Sequence, residues 1–135
     1  MAFTETLDVT TFDGYKGQVR YHCIFDGAGQ DQTDTVLVDI SALAPAPNHI
    51  TLERVQAYVN GDFRVDLEFE NTTDQLIRVF TGQTDVSNPD IVDFTGGPNK
   101  GVANTSAGGT GDLGYTTSGA AAGDEFDIVA DFHKK

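Results

Sequence analysis

A chain of 135 residues is sized for one domain, residues 1–135. Its 21 acidic and 8 basic residues leave a net charge of −13, which excludes the cationic surface that nucleic acid or an anionic membrane requires. One cysteine, Cys23, rules out an intrachain disulfide and a cysteine metal cage, and no apolar run approaches the roughly 18–20 residues of a membrane helix.

The first residues, Met1-Ala2-Phe3-Thr4-Glu5, carry no basic region followed by an apolar run, so no secretory signal is expected. Phe3, Leu7 and Val9 share one parity within a stretch, about residues 2–15, that reads as an N-terminal arm. Val19, Tyr21, Cys23 and Phe25 alternate as a strand and are closed by Asp26-Gly27-Ala28-Gly29. Cys23 falls on the apolar face, away from Arg20 and His22, and reads as an inert core thiol. Val36, Val38 and Ile40 follow, before the break at Ala44-Pro45-Ala46-Pro47-Asn48.

From Ile50 to Phe69 the pattern predicts a β-hairpin. Val55, Ala57 and Val59 enter Asn60-Gly61-Asp62, and Phe63, Val65, Leu67 and Phe69 leave it. Paired residues share a face, so odd-numbered apolar sets on both arms call for a three-residue loop, with Gly61 at positive φ. Ile50 and Leu52 are even-numbered, and that change of phase predicts a β-bulge near Glu53-Arg54. Leu76–Phe80 reads as a strand of mixed parity, buried on both faces, and Ile91–Phe94 as a short one. About residues 95–123 are Gly-rich and poor in apolar residues, and read as a long loop or a pair of weak strands. Phe126, Ile128, Ala130 and Phe132 alternate in a last strand. About eight to ten short strands predict an all-β fold, an antiparallel β-sandwich of jelly-roll or Ig-like type.

Catalytic signatures do not emerge. No Gly-x-Ser-x-Gly elbow is present, and His22, His49 and His133 stand in no motif; His133 reads as a solvated tail residue. His-x-x-x-His and Cys-x-x-Cys spacings are missing, so zinc is not expected. Asp66, Glu68 and Glu70 alternate against Val65, Leu67 and Phe69, the pattern of a solvent-facing side rather than a glycosidase pair. Asp31-Gln32-Thr33-Asp34, Asp85-Val86-Ser87-Asn88-Pro89-Asp90 and Asp124-Glu125-Phe126-Asp127 are oxygen-rich turns without the EF-hand pattern. Gly96-Gly97-Pro98-Asn99-Lys100-Gly101 lacks the Walker spacing. The expectation is a protein that binds or builds, without catalytic residues, cofactor or metal.

One set of motifs adds to this. Val36-Leu37-Val38-Asp39-Ile40-Ser41-Ala42-Leu43 precedes the proline break, then comes Ile50-Thr51-Leu52-Glu53-Arg54-Val55 and a Gly turn. Asp93-Phe94-Thr95-Gly96-Gly97-Pro98-Asn99 leads into Gly111-Asp112-Leu113-Gly114-Tyr115-Thr116-Thr117, and Gly119-Ala120-Ala121-Ala122-Gly123-Asp124-Glu125-Phe126-Asp127-Ile128-Val129 ends the series. In this order, across residues 34–131, the chain resembles a family of small virion structural proteins of tailed bacteriophages. The acidic strand Asp66–Glu70 and the stretch Gln83–Pro89 depart from the shared layout.

The resemblance implies a capsid decoration, or cement, protein made in the host cytoplasm and carried on the capsid exterior. It would bridge neighbouring major capsid subunits as a homo-oligomer, a trimer at local threefold axes. A tail, baseplate or head-fibre component is the alternative within the virion, and a glycan- or calcium-binding module the alternative outside it. The arm and the Gly-rich loop have too little apolar surface to order alone, which assigns them the subunit contacts. The contact residues on this reading are Phe3, Leu7, Phe12, Phe94, Asn99, Leu113 and Tyr115.

Overall fold

The computed structural model describes residues 4–27, 31–43, 49–71, 74–82, 89–96, 101–103 and 111–134, with backbone alone for residues 4–8. The described strands, numbered in chain order, form two antiparallel sheets packed face to face, an all-β sandwich. Sheet A runs β1 (Thr4–Phe12), β2 (Lys16–Ile24), β10 (Glu125–Lys134), β4 (Ile50–Asn60) and β7 (Asp90–Asp93), and β8 (Val102–Ala103) also pairs with β4. Sheet B runs β3 (Thr35–Val38), β9 (Asp112–Ser118), β5 (Arg64–Glu70) and β6 (Gln75–Thr81).

Alternation places the core between the sheets. Val19, Tyr21, Cys23 and Phe25 are buried, as are Phe126, Ile128, Ala130 and Phe132 from β10. β2 and β10 pair so that Tyr21 meets Ile128 and Cys23 meets Phe126, which puts two apolar combs in one register. Sheet B answers with Val65, Leu67, Phe69, Leu113 and Tyr115. Phe126 sits among the rings of Tyr21, Phe25, Phe63 and Tyr115, with centroids 5.1–6.2 Å away. The hydroxyls of Tyr21 and Tyr115 meet at 2.7 Å across the core, so each buried phenol satisfies the other.

The phase change expected near Glu53-Arg54 is a bulge. Asp131 pairs with Arg54 and Phe132 with Leu52, so Glu53 is the extra residue on β4. The hairpin expected from Ile50 to Phe69 does not form, because β4 lies in sheet A and β5 in sheet B. Gly61, at φ +142°, turns the chain across the sandwich instead of back along β4. Parity cannot separate these outcomes: two arms that face each other across a core point the same residues inward as two paired arms.

Three other expectations need correction. Leu76–Phe80 is not buried on both faces; β6 is an edge strand with Leu76 at 58% exposure, and its mixed parity comes from a register shift opposite Leu67 and Glu68. The stretch 95–123 is not one long loop but, on its other reading, holds two strands: β8, paired with β4, and β9, inside sheet B between β3 and β5. The N-terminal arm is β1, paired with β2 along its length after a shift between Glu5 and Leu7.

Candidate functional site

The outer face of sheet B gathers the chemistry. On β5, Val65, Leu67 and Phe69 face the core and Asp66, Glu68 and Glu70 face outward. Outward does not mean solvated here. Glu68 keeps only 7% exposure, which corrects the expectation of a solvent-facing row. Its register neighbours explain the cover. Glu68 pairs with Gly114 on β9 and with Leu76 on β6, and Gly114 pairs onward with Val36 on β3. A Cβ at position 114 would collide with Glu70 Oε1, so glycine there makes room for a carboxylate lying over the sheet.

Two further acids converge from loops. Asp34, just before β3, takes a left-handed conformation at φ +50°, and its N–H donates to Thr116 Oγ1 at 3.0 Å. Asp74, in the turn between β5 and β6, accepts from Asn71 N at 3.0 Å. Carboxylate oxygens of Asp34, Glu68, Glu70 and Asp74 all lie within 4.8 Å of one another. Thr116 Oγ1 stands 3.3 Å from Asp34 Oδ1 and 3.4 Å from Glu68 Oε2; with one hydroxyl proton it can serve only one of them at a time.

Four carboxylates so close cannot all ionise unaided. Burial first, and then the neighbouring acids Asp34 and Glu70, push Glu68 up to about 9. Burial also leads in raising Glu70, to about 7. Near neutrality the group therefore holds a proton, or takes a positive charge in its place. The span suits a hard cation, since oxygens about 2.3–2.6 Å from a calcium ion stand at most about 5 Å apart. The sequence placed Asp34 in an oxygen-rich turn and read the β5 acids as a solvent-facing row. Their meeting depends on the β3–β9–β5 pairing, which no local pattern records.

A second feature lies around the rim. Among the described residues, four exposed aliphatics sit on edge strands, one on each: Val9 on β1, Val36 on β3, Leu76 on β6 and Ile91 on β7. A third is a groove of about 510 Å³ beside the β1–β2 turn, lined by residues that include Phe12, Lys16, Glu53 and Phe132. His133, expected in a solvated tail, instead contacts Glu53 Oε2 through Nδ1 at 2.7 Å and stacks on Tyr15 at 5.7 Å.

The residues assigned to subunit contacts do not form one surface. Leu113 and Tyr115 are fully buried core residues of β9, so their side chains are closed to any partner, and that assignment is corrected. Phe12 is half-buried and stacked on Phe132 at 6.1 Å. Phe94 is half-buried against the core, its N–H donating to Glu53 O at 2.9 Å. Leu7 pairs with His22 in the β1–β2 ladder, while Phe3 and Asn99 lie outside the described residues. Of the calcium-candidate turns, Asp31 is engaged by Thr117 Oγ1 and by the N–H groups of Gly119 and Ala120. Asp124 accepts from Ala121 N, and 83–88 lie outside the described residues.

No family model, curated protein or solved structure matches this chain. Its functional reading therefore rests on its own residues.

Proposed function

We propose that this protein is a non-enzymatic virion structural component, a capsid decoration protein that stabilises a phage head by bridging major capsid subunits. The observation that carries the assembly reading is the rim: among the described residues, the edge strands β1, β3, β6 and β7 each present an exposed aliphatic. Solvated aliphatics next to open strand edges are the elements from which strand-addition interfaces are made. The ordered motifs between residues 34 and 131 supply the virion context. The acidic surface suits a position outside the shell, away from packaged DNA. The partner on this reading is the major capsid protein, with several copies bound per head.

The test is reconstitution. Full-length protein is mixed with undecorated capsids, pelleted, and imaged by cryo-electron microscopy. Density at regular positions on the outer shell, with raised resistance of the particle to heat, is the expected result. Failure to co-sediment, or density confined to the tail or baseplate, would overturn the capsid assignment.

A further inference from the structure

Strand β4 ends on Asn60, and Gly61 carries the chain from sheet A toward sheet B. Asn60 is the only asparagine of the chain that precedes a glycine. That order of residues has its own chemistry. The side-chain amide carbon of an asparagine can be attacked by the backbone nitrogen of the next residue, closing a succinimide ring. A side chain on that next residue hinders the approach, and glycine has none. Asn60 is the last residue of β4 to pair, opposite Glu125, and Gly61 and Asp62 bend away beyond the ladder. The peptide joining Asn60 to Gly61 is therefore held by strand pairing on one side only. The Asn60 side chain is exposed, so water reaches it.

The surroundings of this peptide are acidic and close. Asn60 Nδ2 contacts Glu125 Oε1 at 3.5 Å, an amide donor facing an acceptor. The other oxygen of Glu125 meets His22 Nε2 at 3.1 Å. On one side of the bend, a Cβ at Gly61 would strike the Asp124 carboxylate. On the other, a Cβ at Gly82 would run into the Gly61 carbonyl, and the Gly82 N–H donates to Phe63 O at 3.0 Å. The crossing between the sheets is thus flanked on both sides, with little room for a longer main chain.

We propose that Asn60 is a site of spontaneous deamidation, and that its conversion to aspartate and isoaspartate loosens the β4–β5 crossing. The Gly61 nitrogen bonds to Asn60 Cγ, and the side-chain nitrogen leaves as ammonia with the proton that Gly61 gives up. Water then opens the succinimide at either carbonyl. Opening at Cγ restores the main chain and leaves aspartate. Opening at the former backbone carbonyl routes the main chain through Cγ and leaves isoaspartate, one carbon longer. Both products put a carboxylate where the amide faced Glu125, and like charges opposite one another in a ladder are destabilising. Each adds a negative charge to a chain already at −13. Isoaspartate also lengthens the main chain between the flanking Asp124 and Gly82 contacts. The end of the β4–β10 ladder, and with it the buried Val59 and Phe63 on either side of the bend, loses its support. This inference needs no virion context.

The test ages the full folded chain in warm buffer at pH 8 and digests it with trypsin beside an unaged sample. Cleavage after Arg54 and Arg64 releases Val55–Arg64, in which Asn60 is the only asparagine. Mass spectrometry should show this peptide lost to two products of equal mass, aspartyl and isoaspartyl, before any other asparagine of the chain converts. An intact peptide, or earlier conversion at another asparagine, would overturn the site. The consequence is read separately. Anion exchange resolves the aged protein by its added negative charge, and the later-eluting fraction should melt below the unaged protein. Asn60→Gln, which keeps an amide but cannot close the succinimide, should age without a new fraction and without loss of melting temperature. Asn60→Asp should melt below wild type from the start. A converted fraction that melts with wild type would overturn the loosening of the crossing, as would an Asn60→Gln that weakens equally on ageing.

Discussion

Strands β1 and β10 flank the same strand, β2, and pair with it antiparallel over nearly its whole length. Ala130 and Thr10 both meet Val19 and so share the inner face, yet Ala130 is fully buried and Thr10 is exposed. What separates them is cover: Tyr115 of sheet B packs on Phe126 of β10 at 5.1 Å, whereas the inner face of β1 is open at Thr10. Pairing decides where a side chain points, and cover decides whether it must be apolar. β10 accordingly alternates without exception from Phe126 to Phe132, and β1 does not.

The sharpest break of that contrast is Phe126→Ala. This ring contacts four aromatics from both sheets, and its removal should destabilise the domain by about 3–5 kcal/mol, read from chemical denaturation. A loss under 1 kcal/mol, on the order of a surface substitution, would mean that β10 is not the covered centre. Next comes the corner that lets sheet B lie over sheet A. Gly61→Val places a branched residue at φ +142°, with its Cβ driven into the Asp124 carboxylate. About 2–3 kcal/mol of stability should be lost, and an unchanged denaturation midpoint would show that the chain does not cross there.

A third measurement probes the exception, an acid on the outer face that is nonetheless covered. Glu68 and Glu70 are raised in the folded state, so folding favours their protonated forms. The stability this gives is complete below the unfolded carboxyl range near about 4.3. It is lost as pH rises through about 7 and then about 9. Melting temperature should fall from pH 5 to pH 9, and Glu68→Gln should flatten the fall and melt higher than wild type at pH 8. A wild-type profile that is level, or that rises over this interval, would contradict the burial of Glu68. Calcium added at pH 8 distinguishes the neutralising species: a higher melting temperature in wild type, absent in Glu68→Gln, identifies the cation, and no change identifies the proton. The smallest effect belongs to β1. Thr10→Ala should change stability by no more than about 0.5 kcal/mol, and a larger loss would mean that something covers the inner face of β1.

Much of the sandwich was legible because covered strands write themselves as alternation. Val19–Phe25 and Phe126–Phe132 could be placed inward from residue identity alone. The bulge at Glu53 was legible for the same reason, since an extra residue inverts the phase of the pattern that follows. β9 was not legible. Its inner face holds Leu113, Tyr115 and Thr117, but its outer face holds Gly114 and Thr116, kept small because the Glu70 carboxylate and its neighbours lie across them. A strand trimmed to accommodate another strand's side chains looks like a loop. The acidic cluster was hidden differently. Asp34, Glu68, Glu70 and Asp74 come from two loops and a strand, and only the long-range ladder through β9 joins the first of them to the rest.

Cys23 gives the molecule a built-in reporter. Its thiol is the only sulfhydryl in the chain, and it is sealed completely on the central pair β2 and β10. A thiol reagent can reach it only when that pair separates or the sandwich opens. The rate of labelling in native buffer therefore counts opening events directly, with no denaturant and no added probe. When closing outpaces the reagent, the rate gives the free energy of opening; when reagent is in large excess, it gives the opening rate itself. If partner binding at the rim holds the two sheets together, the thiol will fall silent on assembly, a readout of docking taken from the centre of the protein rather than from its surface.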